Sequence, residues 1–248
     1  MHLGISVFFP AFNDEATIAP LVRNALELLP RLADDFEVIV VNDGSTDGTA
    51  RVLDELAALH PRVRVVHHPQ NRGYGGALRT GFATAQKDLV FYTDGDGQYD
   101  VGELARLRPL LTDGVDVVNG YKRSRADDWR RRALGTAYNR LAHLLFYLPV
   151  RDVDCDFRLV RRSAMEGITL ESSSGSICVE LVYRLHRAGC VFAETAVHHY
   201  PRVHGRSQFF TPARVARTAR DLLALWTKLV VLRRPQNDIR QTDRGRRE

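Results

Sequence analysis

Leu89-Val90-Phe91-Tyr92-Thr93-Asp94-Gly95-Asp96-Gly97-Gln98 is the stretch whose reading decides the fold. An apolar run of strand-forming residues leads directly into two carboxylates two positions apart, with glycines beside them that free the backbone to turn. Short apolar runs bounded by turn residues read as buried parallel strands. Upstream lie three more: Ile5 to Phe9, which stops at Pro10; Glu37 to Val41, which stops at Asn42-Asp43-Gly44-Ser45; and Arg62 to Val66. Downstream, Val115-Asp116-Val117-Val118 is a fifth.

Helical patterns fill the gaps. One runs from about Glu15 to Leu32, with Ile18, Leu21, Val22, Ala25, Leu28 and Leu29 on one stripe. A second starts near Asp47 and carries Val52, Leu53, Leu56 and Leu59, and a third follows Gly75-Gly76 with Ala77, Leu78 and Phe82. This alternation predicts an α/β fold, a doubly wound and mainly parallel sheet. Ligands of such sheets bind at the carboxyl ends of the strands. The second half is less regular: a basic then apolar helix over 128–148, an irregular stretch over 153–160, a helix over 176–188 and extended chain over 190–200.

Composition bounds the rest. The 248 residues include 35 Lys+Arg and 30 Asp+Glu, a net charge of +5, and 44% are hydrophobic, which fits a globular chain. There is no uninterrupted apolar run of about 18 residues, the length a spanning helix needs, and no secretory signal pattern at the start. Three widely spaced cysteines (Cys155, Cys178, Cys190) form no closed disulfide framework and no zinc pattern, and read as reduced thiols in a cytoplasmic protein.

Asp94 and Asp96 repel one another unless a cation sits between them, and a hard divalent ion, Mg²⁺ or Mn²⁺, suits carboxylates combined with substrate phosphates. The spacing is also similar to an EF-hand loop, but its twelfth position is Ala105 rather than a bidentate Glu. Asp43, at a strand end, is placed to accept hydrogen bonds from a base or ribose. Asp47 or a neighbouring hydroxyl reads as a helix cap. Asn71-Arg72-Gly73-Tyr74-Gly75-Gly76 lacks the Lys-Ser/Thr of a P-loop, yet could place backbone N–H groups near a phosphate.

Five segments in order, Pro10-Ala11-Phe12-Asn13-Asp14-Glu15, Val41 to Asp47, Asn71-Arg72-Gly73 with Gly75-Gly76-Ala77, Asp94 to Gln98, and Asp152 to Arg158, carry a resemblance. Over roughly residues 4–210 the chain resembles the family 2 glycosyltransferases. Within them it resembles the polyprenyl-phosphate sugar transferases of the dolichol-phosphate mannosyltransferase type. The resemblance implies an A-type glycosyltransferase fold with a nucleotide-sugar site at the strand C-terminal ends. It implies Pro10, Phe12, Asp14, Val41, Asp43, Asp94, Gly95 and Asp96 around the donor, a GDP- or UDP-sugar. It implies Asp94, Asp96 and Gln98 around Mg²⁺ or Mn²⁺. Asp14 stands where the family often has Glu, and Asn42 where many members have a first Asp.

The expected reaction is inverting transfer of the sugar to a polyprenyl phosphate. A lipid phosphate needs cations rather than a base, and Lys122, Arg132, Arg158, Arg202 and His204 are the candidate acceptor or diphosphate contacts. Asp96, Asp94, Asp156 and Arg158 are the candidate catalytic residues. If the acceptor is instead a soluble hydroxyl, Asp154 or Asp156 is the candidate base, or either pairs with Arg158 or Arg151. A non-catalytic nucleotide-sugar-binding module is a further alternative. The pI of 9.3 admits nucleic acid, but no recognised nucleic-acid motif accompanies it. The adjacent pairs His67-His68 and His198-His199 point to opposite strand faces and read as packing. The expected organisation is a catalytic domain over 1–212, an amphipathic helix over 213–232 that contacts the membrane interface, a partner or its own domain, and a basic mobile tail over 233–248. The expected location is cytoplasmic, peripheral on the inner face of the membrane.

Overall fold

Alternating side chains along each strand divide the core into two layers. Ile5, Val7, Phe9, Val38, Val40, Leu89 and Phe91 point to one side, and Phe8, Ile39, Val41, Val90 and Tyr92 to the other. The computed structural model describes residues 3–125, 129–201 and 212–232, with the side chains of 124–125, 129–132 and 212–216 excepted. Its strands are β1 (Ile5–Ala11), β2 (Phe36–Asn42), β3 (Val63–His67), β4 (Leu89–Thr93), β5 (Val117–Arg125), β6 (Phe157–Arg161) and β7 (Phe192–His199). Its helices are α1 (Ile18–Leu28), α2 (Thr49–Leu59), α3 (Tyr74–Thr84), α4 (Leu104–Leu107), α5 (Trp129–Phe146), α6 (Ile177–Arg187) and α7 (Pro212–Trp226).

One sheet holds all seven strands in the order β3-β2-β1-β4-β6-β5-β7. The pairs among β1 to β4 are parallel, as is β5 with β7. The sheet is therefore mainly parallel and doubly wound, as expected. β6 is the exception: it runs antiparallel between β4 and β5, where the sequence suggested only irregular chain.

Helices cover both faces. The predicted α1 stripe is buried at Ile18, Leu21, Val22 and Ala25 against the first layer. α3 and α6 bury Leu78, Ile177 and Leu181 in the second layer, where Phe82 packs on Phe8 and Tyr92. Leu59, expected on the α2 stripe, is exposed at the helix end.

A third cluster joins Ala142 and Phe146 of α5, Val179 and Val182 of α6, and Leu222 and Leu225 of α7. α7 thus packs part of its apolar face on its own domain, then continues into a π-helical turn over Thr227–Val231. Leu223, Val231 and Leu232 stay exposed. Among the described residues, no helix is long and apolar enough to cross a membrane. The residues of the expected basic tail lie outside the described range.

Candidate active site

The strand order places β4, β1 and β2 side by side, so their carboxyl ends form one edge. The loop after β1 is tied to the loop after β2. Asn13 takes a left-handed φ of 59°, which Asn tolerates better than most residues. Its backbone N–H donates to Ser45 Oγ at 3.0 Å, and its Oδ1 accepts from the Thr46 N–H at 2.8 Å. Asp14 N–H donates to Thr49 Oγ1 at 2.9 Å, while Asp14 Oδ2 accepts from the Phe12 N–H at 2.9 Å.

The loop after β4 leans on the end of β1. A Cβ on Gly95 would lie 2.6 Å from the Pro10 carbonyl oxygen, so only glycine allows this approach. Thr17 Oγ1 donates to the Gly95 carbonyl at 2.9 Å. These contacts bring Pro10, Phe12, Asp14, Gly95 and the Asp94–Asp96 turn together. Val41 and Asp43 end the neighbouring strand, both buried. Asp43 Oδ1 faces His68 Nδ1 at 2.6 Å and accepts from the Arg72 N–H at 2.8 Å. Gly48, not Asp47, is the N-cap of α2; Asp47 stands one residue before it, and its Oδ1 accepts from the Thr49 N–H at 3.0 Å and from the Thr49 hydroxyl at 2.5 Å. Burial pushes its carboxyl up, but these bonds outweigh that and hold it below the usual range.

Asp94 Oδ1 accepts from the Tyr74 hydroxyl at 2.7 Å, and Asp96 Oδ1 accepts from the Gln98 N–H at 3.0 Å. Burial drives the Asp94 carboxyl well above its ordinary value, and the negative charges of Asp156 and Asp96 act in the same direction. The Tyr74 hydroxyl and the Lys122 ammonium oppose them. Such a cluster is short of positive charge, and its donors are hard oxygens. That suits a Mg²⁺ or Mn²⁺ ion held by one or two carboxylates, with substrate phosphate and water completing the shell. Among the described residues no group of three or more His, Cys, Asp and Glu is arranged for a metal, so Asp94 and Asp96 would be the protein's main share. Gln98 turns its amide to the Tyr200 carbonyl, donating at 3.1 Å.

Arg158 lies elsewhere than expected. It stands opposite Tyr92 on β4 and Asn119 on β5, and its side chain is fully buried. Its Nε donates to Asn119 Oδ1 at 2.5 Å and Nη1 to Asp156 Oδ1 at 3.3 Å. Nη1 also donates to the Tyr92 hydroxyl, and Nη2 to the Val153 carbonyl. With four hydrogen bonds made inside the protein and no exposed surface, Arg158 ties β6 to its neighbours and holds Asp156 rather than facing solvent as a phosphate contact would. Cys178 Sγ donates to the same Asp156 oxygen at 3.0 Å. Lys122 is also engaged, donating to the Asp154 carbonyl at 2.5 Å, with Asp154 Oδ2 at 3.6 Å. The Arg132 side chain, Arg202 and His204 lie outside the described residues.

The glycine-rich segment needs its glycines for packing. Cβ atoms on Gly73 and Gly75 would lie 2.5 and 2.1 Å from the carbonyl oxygens of Ser173 and Ser172. Gly75 N–H donates to the Ser173 carbonyl at 3.0 Å, so that N–H is not directed at a phosphate. The neighbouring loop is clamped in turn: buried Glu180 accepts the Ser172 N–H at 2.8 Å, and Arg79 donates to the carbonyls of Glu171 and Ser172, each at 2.7 Å. Within each pair the histidines have separate surroundings, and the hydrogen bonds they make are polar rather than mere packing: His67 meets Asn42 and Asp54, His68 meets Asp43 and Thr80, and His198 meets Glu103. Sequence reasoning named none of Asn13, Tyr74, His68 or Cys178 as a site residue. Asn13 carried a usable sign, an Asn in a strand-to-helix loop; the other three are brought to the site only by tertiary folding.

Residues 6–169 match the glycosyl transferase family 2 model. An undecaprenyl-phosphate 4-deoxy-4-formamido-L-arabinose transferase of Aeromonas hydrophila subsp. hydrophila is 30% identical over 207 residues, 83% of this chain and 62% of that protein. The glycosyltransferase AglD of Haloferax volcanii is 35% identical, over 80% of this chain and 33% of its own length. The chain thus spans less than two thirds of either relative. Glucosyl-3-phosphoglycerate synthase from Mycobacterium tuberculosis, solved with phosphoglyceric acid, superposes with a TM-score of 0.70 at 22% identity, covering 90% of this chain and 79% of that one. The same enzyme with Mn²⁺, UDP and phosphoglyceric acid gives 0.67 at 24%, covering 90% and 78%. The likeness extends the shared fold beyond the matched segment, and the chain belongs to glycosyl transferase family 2.

Proposed function

We propose that this chain performs inverting, metal-assisted transfer of a sugar from a nucleotide diphospho-sugar to a polyprenyl phosphate. The observation that carries the reading is the Asp94–Asp96 turn, held beside the end of β1, with β1 alone lying between its strand and the strand that leads to Asp43. Asp43 accepts a donor group of the base or ribose. Pro10, Phe12, Asp14 and Val41 shape that pocket. Asp94 and Asp96 hold the cation, and Tyr74 orients Asp94. When bound, Mg²⁺ or Mn²⁺ supplies positive charge to the departing diphosphate. Structures of the mycobacterial synthase with UDP and Mn²⁺ or Mg²⁺ support that choice of ions.

The acceptor follows from chemistry and relatives. A phosphate monoester has a second pKa of about 6, so its oxygen is already anionic and needs no general base. Lys122 is partly engaged by Asp154. Support for a lipid acceptor therefore comes from the first relative, whose name specifies undecaprenyl phosphate. A peripheral position on the cytoplasmic membrane face fits exposed Leu223, Val231 and Leu232 near exposed Arg217 and Arg220. A second reading, transfer to a soluble hydroxyl, is favoured by one feature: Asp156, which lies within electrostatic reach of Asp94 and could serve as base.

The test incubates the chain with Mn²⁺, UDP- and GDP-sugars, and either undecaprenyl phosphate in detergent or phosphoglyceric acid. Lipid-linked sugar is the expected product, and sugar on the soluble acceptor alone supports the second reading. Asp96→Asn preserves the acceptor for the Gln98 N–H and removes the charge; turnover should fall about a hundredfold or more at unchanged Tm. Equal turnover removes the turn from the mechanism.

A further inference from the structure

His67, the last residue of β3, and His68 just beyond it meet Asn42, the last residue of β2, and Asp43 just beyond it. β3 pairs in parallel with β2, with His67 opposite Asn42. His67 Nδ1 lies 2.9 Å from Asn42 Nδ2. One residue on, His68 Nδ1 lies 2.6 Å from Asp43 Oδ1, and His68 Nε2 lies 2.9 Å from Thr80 Oγ1 on α3. His68 and Asp43 are 5% and 3% exposed. The backbones lock the pair: His68 N–H donates to the Asn42 carbonyl at 2.8 Å, and a Cβ on Gly44 would lie 2.6 Å from Asn71 N.

An ionised carboxylate only accepts hydrogen bonds, so Nδ1 carries the proton and a neutral ring leaves Nε2 to accept from the Thr80 hydroxyl. The Arg72 N–H donates to the same Asp43 oxygen at 2.8 Å. Both donors meet Oδ1, which sets the carboxylate plane and leaves Oδ2 to a ligand. A group that meets Oδ2 must be a donor: the ring N–H of uracil or guanine, or a ribose hydroxyl. Fixing the acceptor before binding reduces the ordering cost of association.

We infer that His68, oriented by Thr80, is a positioning residue that holds Asp43 for an N–H or O–H donor of the nucleotide. The inference rests on the donor-site reading above. It assigns His68 no contact with the substrate.

The experiment measures binding of UDP and of GDP, each with Mn²⁺, by calorimetry, with donor KM, kcat and Tm for the same variants. His68→Leu should raise the dissociation constant about tenfold to a hundredfold. Donor KM should rise in proportion while kcat stays within about twofold. His68→Asn, whose amide N–H can reach Asp43 from the Nδ1 position, should recover most of the affinity, and Thr80→Val should lose part of it. Wild-type nucleotide affinity in folded His68→Leu overturns the inference, as does a fall in Tm without a change in affinity. If His68→Leu does not fold, Thr80→Val decides: unchanged affinity overturns the inference, and reduced affinity with unchanged Tm supports it. Asp43→Asn separates the two levels. If it loses binding while His68→Leu retains it, only the role of His68 fails. If Asp43→Asn binds as wild type does, or wild type binds neither nucleotide, the donor-site reading itself fails.

Discussion

The Tyr74 hydroxyl, on the first residue of α3, donates to Asp94 Oδ1 at 2.7 Å, immediately beyond the end of β4. The bond favours the ionised carboxylate against burial and two neighbouring negative charges. Tyr74→Phe should therefore weaken cation binding without removing a ligand. Residues that orient metal ligands typically contribute about tenfold to a hundredfold in affinity. A titration of turnover against Mn²⁺ should show a half-maximal concentration raised on that scale. An unchanged curve would detach Tyr74 from the metal turn.

Arg158 should behave as a core residue. Its guanidinium donates to Asn119, Tyr92, Asp156 and Val153, a set that a Lys ammonium cannot reach together. Arg158→Lys should destabilise the fold by about 3 kcal/mol or more, because buried polar partners lose their donors. Urea denaturation measures this directly. A variant of normal stability with weakened acceptor binding would restore the phosphate-contact expectation.

Two glycines should respond oppositely to one extra carbon. At Gly75 the added Cβ would lie 2.1 Å from a backbone oxygen, whereas at Gly175 nothing lies within 4 Å. Gly75→Ala should cost about 2 kcal/mol or more, and Gly175→Ala should stay within about 0.5 kcal/mol of wild type. Paired denaturation curves decide, and equal costs would contradict the close approach of the two loops.

Acid should release the contact between α6's preceding loop and the turn after α7. The hydrogen bond from Lys228 is the main cause holding the Glu171 carboxyl below 4.5, against a smaller opposing effect of burial. A depressed carboxylate contributes stability that is present above its unfolded value and lost as pH falls through the folded one. Lys228→Met should therefore be less stable than wild type at neutral pH, with the gap closing below pH 4.5. Because Glu171 is half exposed, the gap should be at most about 1 kcal/mol. Stability measured at several pH values checks the sign; a gap that widens in acid would refute it.

The first four strands were legible because each is a compact apolar run that ends in turn residues, and their ends named the site's loops. β6 was not. It has five residues, an arginine at its centre, and a place in the sheet set by partners far away in sequence. Local pattern offers no sign that a strand will insert antiparallel between β4 and β5. The carboxylate turn was legible as a feature of the strand end, because an apolar run leads straight into two Asp residues flanking a Gly, and the structure places that turn beside the end of β1. The packing role of the glycine-rich segment was not legible, for the opposite reason. Gly73 and Gly75 answer to the backbone of residues almost a hundred positions away, and no local property of the segment announces that neighbour. His67 and His68 showed the correct parity, but their partners became visible only once β3 lay in register with β2.

The clamp around Ser172 and Ser173 bears on where this enzyme can be cut. The family match ends at residue 169. A fragment trimmed to that boundary would retain Asp43, Asp94, Asp96 and Tyr74. It would lose the wall that presses on the start of α3 and sets the height of the tyrosine. Such a minimal domain would keep those four side chains but lose Cys178 and the support behind α3, so a workable catalytic unit should extend at least through α6.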